Sequence, residues 1–205
     1  MATLLLKKSY RLSDLKEVTF KDLWGSRGVF TTMRMVGKPP KLILLKPHLE
    51  NLIKSAKKYG IRKNNFNLLL FKYKRVEPNY KNLYYKKILA KLSKVDSTKF
   101  DIALVSNNNI LETGTSNLVF VKNGKIFSPK KNCYFGNTIK YINQKVKIFF
   151  KNISINNIKE YDEIILIGSG KGVTSVSKID ELNWKRRKSD CYTKLNKIYN
   201  SLLTT

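Results

Sequence analysis

Apolar positions in this chain fall into short runs cut by turn residues, and four stretches carry them at helical spacing. Residues 29–36 read as a strand after a turn-rich opening from residue 18, and Pro39 and Pro40 break it. Residues 42–45 read as a second short strand. The stretch 48–59 carries Leu49, Leu52, Ile53 and Ala56 on one face, with Pro47 near its start and Gly60 as its stop, which predicts a helix. The apolar run 68–71, inside 64–75, fits either a strand or a helix. Leu83, Lys87, Ile88 and Leu92 recur at helical spacing over 80–93. A strand-rich block follows: 100–106, a turn at 107–109, 118–122, the two-residue hairpin signal Asn123-Gly124, and 125–128 pairing back. A helix over 137–150, a buried strand over 163–168, the turn Ser169-Gly170-Lys171-Gly172, a strand over 173–179 and a last helix over 185–203 complete the pattern. Hairpins mixed with helices, without strict β-α-β alternation, predict a mixed α/β (α+β) fold. Pro78 and Asn79 set the expected junction between a small N-terminal α/β domain, 1–79, and a larger C-terminal mixed-sheet domain, 80–205.

Composition narrows the class. A chain of 205 residues with 42% hydrophobic positions is long enough to bury a core as one domain or two small ones. No run approaches the ~18 apolar residues of a membrane span. Residues 1–14 lack a long apolar core followed by a small-residue cleavage site, and Cys133 and Cys191 stand far apart, so a cytoplasmic protein without disulfides is expected. His48 is the single histidine, which leaves little material for zinc sites or for Ser-His-Asp and Cys-His catalysis. The charge is the unusual number: 41 Lys+Arg against 14 Asp+Glu, a net +27. Such a balance points first to nucleic acid. However, 34 of the 41 basic residues are Lys, spread along the whole chain, and only seven are Arg. Base and phosphate readers favour the planar two-toothed fork of Arg. The charge therefore reads as a solvated lysine surface, and no nucleic-acid partner is expected.

Candidate chemistry appears as an ordered series of motifs. Gly28-Val29-Phe30-Thr31-Thr32-Met33-Arg34 comes first, then His48-Leu49-Glu50-Asn51-Leu52 ahead of a helix. Lys81 stands at an expected helix start. Glu112-Thr113-Gly114-Thr115-Ser116-Asn117 leads into a strand, and the Asn-Gly hairpin ends in Ser128-Pro129. Gly136-Asn137-Thr138 and Ser169-Gly170-Lys171-Gly172 follow. Over about residues 20–182 this series resembles the class IV aminotransferases, pyridoxal-phosphate enzymes of fold type IV. The family includes branched-chain and D-amino-acid aminotransferases and 4-amino-4-deoxychorismate lyase. Its most specific piece is the Glu-x-x-x-x-Asn block followed by an Asn-Gly hairpin and Ser-Pro.

The resemblance implies a role for each motif. Pyridoxal 5'-phosphate needs a lysine that links to it covalently and then moves protons at the substrate. The family's spacing, about 20 residues ahead of the strand that begins at Asp101, selects Lys81 over Lys86 and Lys87. Glu112 takes the place of the carboxylate that keeps the pyridine nitrogen protonated. Tyr84 or Tyr85, three and four residues beyond Lys81, is expected near the ring oxygen. Asn137 and Thr138 at a helix start, with Ser169 and Gly170 in a turn, are expected to hold the phosphate. Gly-x-Phe-Thr-Thr-x-Arg is closer to the lyases than to the transaminases. It implies release of pyruvate and 4-aminobenzoate, a folate precursor, with Thr32 in the site and Arg27 and Arg34 as partners for substrate carboxylates. A D-amino-acid or branched-chain type aminotransferase, and a non-catalytic paralogue, are the alternatives. The family fold has two domains around a cofactor cleft and is usually homodimeric. Three departures stand out: Asn51 where the family carries a phosphate-binding Arg, Arg27 where an Asp is common, and a missing segment between Gly60 and Lys81.

Overall fold

The structure, a computed structural model, describes residues 9–10, 17–18, 34–39, 41–59, 66–80, 82–96 and 99–202. Two compact units part between Arg62 and Lys63. In the first, β1 (Ser9–Tyr10) pairs antiparallel with β2 (Glu17–Val18), and β3 (Met35–Val36) with β4 (Lys41–Leu42). Residues 29–33 of the expected first strand lie outside the described residues. Helix α1 (Leu45–Lys58) begins three residues before the expected start at His48 and absorbs the end of the expected strand over 42–45. Pro47 falls within its first turn, where a missing N–H removes no helical hydrogen bond.

The second unit carries β5 (Phe66–Lys72), α2 (Lys86–Leu92), β6 (Phe100–Ser106), β7 (Asn109–Thr113), β8 (Asn117–Lys122) and β9 (Lys125–Pro129). It continues with α3 (Asn137–Lys145), β10 (Ile148–Lys151), β11 (Ile153–Ser154), β12 (Glu163–Gly168), β13 (Gly172–Ile179), β14 (Trp184–Lys185) and α4 (Asp190–Ser201). Ten strands form one mixed sheet in the order β10-β9-β8-β12-β13-β5-β6-β7-β11, with β14 on β13. The expected junction at residue 79 moves forward for a physical reason: β5 runs parallel between β6 and β13, so residues 66–72 belong to this sheet.

Side-chain alternation builds the sheet's two buried faces. Leu118 and Phe120 of β8 and Ile164 and Leu166 of β12 enter one cluster, with Trp184, Tyr161 and Ile153. Val119 and Val121, and Ile165 and Ile167, point the other way into a cluster covered by Ile139 and Ile142 of α3 and Leu195 of α4. A strand buried on both faces has no polar alternation to show, which is why Glu-Ile-Ile-Leu-Ile-Gly is nearly continuous apolar sequence. A third cluster joins Ile88 of α2 to Ile102, Leu104 and Leu111. Two-residue turns set the hairpins. Asn107 and Asn108 (φ 46° and 61°) join β6 to β7, and Asn123 and Gly124 (φ 50° and 71°) join β8 to β9.

Three helices are shorter than the pattern predicts. Residues 82–85 form turns, because Asn82 donates to the carbonyls of Val76 and Glu77 and accepts from the Tyr84 amide, while Arg75 takes the Pro78 carbonyl. Such side-chain bonds compete with the helical ladder, so the helix expected over 80–93 is reduced to α2. The helix expected over 137–150 stops at Lys145. Asn143 Oδ1 then accepts the Ile148 amide at 3.1 Å, and 148–151 pair parallel with β9. Over 185–203, Lys185 belongs to β14, and α4 begins only where both Glu163 carboxylate oxygens meet the amides of Cys191 and Tyr192 (2.9 and 2.8 Å). Among the described residues no helix is long and apolar enough to cross a membrane.

Candidate functional site

The ends of β7, β8 and β12, the loop between β7 and β8, and the start of α3 enclose a cavity of about 260 Å³. One wall is Glu112 on β7, buried to 5% exposure. Its Oε1 lies 3.2 Å from Nε of Arg75, out of line for a hydrogen bond, and its Oε2 accepts the Tyr134 amide at 3.1 Å. Burial pushes the carboxyl up to about 7, against the Arg75 charge and the Tyr134 amide, which both pull it down. Arg75 is itself buried. It donates to the Tyr85 hydroxyl and the Pro78 carbonyl, and its guanidinium lies 5.2 and 5.8 Å from the ring centres of Tyr85 and Tyr134. Glu112 thus stands as a fixed, buried carboxyl that holds its proton more tightly than a carboxyl in water, beside the cavity.

A second part of the cavity suits an anion. Asn117, the first residue of β8, accepts the Gly136 amide at 3.1 Å and donates to the Tyr134 carbonyl at 2.5 Å. These bonds fix the chain entering α3. The first helical bond is Lys140 N–H to the Gly136 carbonyl (3.2 Å), so the amides of Asn137, Thr138 and Ile139 precede the ladder and form the positive end of the helix. The buried Thr138 hydroxyl is 3.2 Å from that of Ser169 in the turn after β12. Asn137, Ser169 and Gly170 line the cavity with Thr113, Gly114, Thr115 and Ser116. The two rims approach closely at Gly168, where an added Cβ would sit 2.8 Å from the Ser116 hydroxyl.

Behind the rims lies Asp101, fully buried at the start of β6. Its Oδ1 accepts the Ile102 amide (2.8 Å). Its Oδ2 accepts from Thr113 (3.0 Å), Thr115 (2.7 Å) and Lys171 Nζ (2.8 Å). Among the described residues no group of three or more His, Cys, Asp and Glu is placed to hold a metal.

The cavity brings together Glu112, Asn137, Ser169 and Gly170 of the sequence-predicted set, with Thr138 behind Ser169. Tyr84 does not line it: the residue is 60% exposed, because 82–85 form turns and Tyr85 is the tyrosine that faces Arg75. Lys81, Thr32 and Arg27 lie outside the described residues. Arg34 and Asn51 are exposed in the first unit, where the Arg34 carbonyl accepts the Ile43 amide and the Asn51 carbonyl the Ser55 hydroxyl. Sequence reasoning missed Arg75, Tyr134 and the Asp101 cluster. Arg75 had one signal, as one of seven arginines in a lysine-rich chain, six residues before Lys81.

Residues 65–179 match the model of the amino-transferase class IV family, more than half of the chain, and the chain belongs to that family. No curated protein matches it. Among solved structures, an aminotransferase from Brucella abortus bound to the co-factor PLP is 19% identical, with a TM-score of 0.57 over 70% of this chain and 56% of that one. A branched-chain aminotransferase from the archaeon Thermoproteus uzoniensis, with norvaline, is 13% identical (TM-score 0.61, over 86% and 85%). A Legionella pneumophila protein with the provisional name 4-amino-4-deoxychorismate lyase is 18% identical (TM-score 0.58, over 68% and 57%). At these identities the likeness is one of fold. The chain spans little more than half the length of the Brucella and Legionella proteins.

Proposed function

We propose that this chain is a pyridoxal-phosphate enzyme that acts as a 4-amino-4-deoxychorismate lyase, releasing pyruvate and 4-aminobenzoate. The observation that carries the cofactor reading is one cavity pairing a buried carboxyl, Glu112, with an anion cradle at the start of α3 and the Ser169-Gly170 turn. When bound, pyridoxal phosphate supplies an electron sink for carbanion chemistry. Glu112 holds a proton at the ring nitrogen. The amides at the α3 start and the hydroxyls of Thr138 and Ser169 take the phosphate. By the family pattern Lys81 would carry the covalent link and move the proton at the substrate, Thr32 would act with it in catalysis, and Arg27 and Arg34 would meet substrate carboxylates. The lyase choice rests on the Gly-x-Phe-Thr-Thr-x-Arg sequence. We also take the protein to be a cytoplasmic homodimer on the family pattern, which sedimentation of the purified chain tests for the oligomer.

Purified protein given pyridoxal phosphate should turn yellow. Borohydride should bleach the colour and fix the cofactor on the Lys81 peptide by mass spectrometry, and Lys81→Ala should abolish both. No uptake of added cofactor overturns the enzyme reading. Coupled to a synthase acting on chorismate, the lyase should release 4-aminobenzoate and pyruvate. Amino transfer to a keto acid without pyruvate release would instead make the protein an aminotransferase.

A further inference from the structure

We propose that Asp101 is a positioning residue for the anion cradle, with Lys171 and Thr115 as its tethers to the two rims. The inference deepens the cofactor reading above and rests on it for the identity of the anion.

Asp101 has no exposed surface, and a carboxylate in such a place is tolerated only when paired and hydrogen-bonded. Its four donors come from three separate segments. Ile102 is its own neighbour on β6, Thr113 ends β7 and Thr115 lies in the loop that follows it, and Lys171 belongs to the turn after β12. The last two segments are the rims of the cavity: Thr113 and Thr115 line it, as do Ser169 and Gly170 just before Lys171. One carboxylate oxygen, Oδ2, therefore joins both rims.

The loop is rigid enough to transmit that tether. Thr113 Oγ1 accepts the amides of Thr115 (3.2 Å) and Ser116 (2.8 Å), and the Thr113 amide donates to the Ser116 carbonyl at 2.8 Å. The turn is held from its other side as well. The Lys171 ammonium sits 4.3 Å from the Phe66 ring centre, and its side chain is 20% exposed. On a surface of mostly solvated lysines this one is drawn inward. It does not line the cavity, and its charge is engaged by Asp101. Spacing between the rims decides whether the amides of α3, the Ser169 hydroxyl and the loop hydroxyls converge on one phosphate.

The test measures affinities for pyridoxal phosphate, pyridoxal and inorganic phosphate by calorimetry, with melting temperatures. It uses the full chain and the variants Lys171→Met, Lys171→Arg, Thr115→Val and Asp101→Asn. Lys171→Met and Thr115→Val should weaken pyridoxal phosphate and inorganic phosphate by ~10-fold or more, as small misplacements of a binding group do, and leave pyridoxal within ~2-fold. Lys171→Arg should restore most of the phosphate affinity. Equal weakening of all ligands, or a lowered melting temperature with affinities unchanged, overturns the proposal. Should Asp101→Asn fail to fold, Lys171→Met and Thr115→Val decide it. A wild type that binds phosphate but not pyridoxal phosphate overturns the cofactor reading alone, and the positioning role is then scored on phosphate. A wild type that binds neither overturns both.

Discussion

Glu112 sits where burial and a guanidinium oppose each other. Burial wins, and the carboxyl is raised from 4.5 to about 7. The folded state therefore holds this proton more tightly than the unfolded chain does. Its contribution to stability is greatest below about pH 4.5 and is lost as pH rises through about 7, a change on the order of 3 kcal/mol. Urea midpoints of the cofactor-free protein should fall across that window and level off above it. Glu112→Gln, with no proton to release, should lose this part of the pH dependence; an identical slope in the variant would show that other groups cause it. At this scale the motif residues were legible in the sequence, since Glu112, Asn117 and Ser169 stand in an ordered series. Arg75, Tyr134 and Asp101 were not, because each acquires its role from a partner that only the fold brings near. Asp101 and Lys171, for instance, are 70 residues apart in the chain.

Elements show the same division. Strands buried on both faces and hairpins with Asn at left-handed positions could be read from sequence, because a local pattern dictates them. Helix ends could not. Glu163 on β12 fixes where α4 begins by accepting the amides of Cys191 and Tyr192, a contact no helical periodicity contains. Glu163→Ala should cost ~1–2 kcal/mol by urea denaturation, and Glu163→Gln, which keeps an acceptor oxygen, should cost less. Equal losses would mean that the charge, not the cap, matters. Gly172 ties the other end of α4 to β13. It has φ +65°, and an added Cβ would lie 2.9 Å from the Tyr199 ring. Gly172→Ala should destabilise by at least ~1–2 kcal/mol from the left-handed backbone alone. In the Tyr199→Ala background the same change should cost less, because the ring contact is gone and only the backbone part remains.

For the whole molecule, the family and mixed sheet were legible, while the unit boundary was not. Pro78 and Asn79 look like a junction locally, yet the parallel pairing of β5 between β6 and β13 draws residues 66–72 into the sheet. Charge is the other property of this scale. A net +27 on 205 residues, mostly solvated lysine, has no single pairing partner, so its effect is a field. A doubly charged phosphate ester entering the cavity should feel that field, whereas the same ring without its phosphate should not. Between ~0.01 M and ~1 M salt the screening length falls from ~30 Å to ~3 Å, which removes attraction beyond the first layer of side chains. The association rate of pyridoxal phosphate, followed by stopped-flow absorbance, should therefore fall by ~10-fold or more over that range, and that of pyridoxal should stay nearly level. Parallel curves for the two ligands would mean that the lysine surface does not steer the anion to the cavity, and that its charge bears on solubility alone.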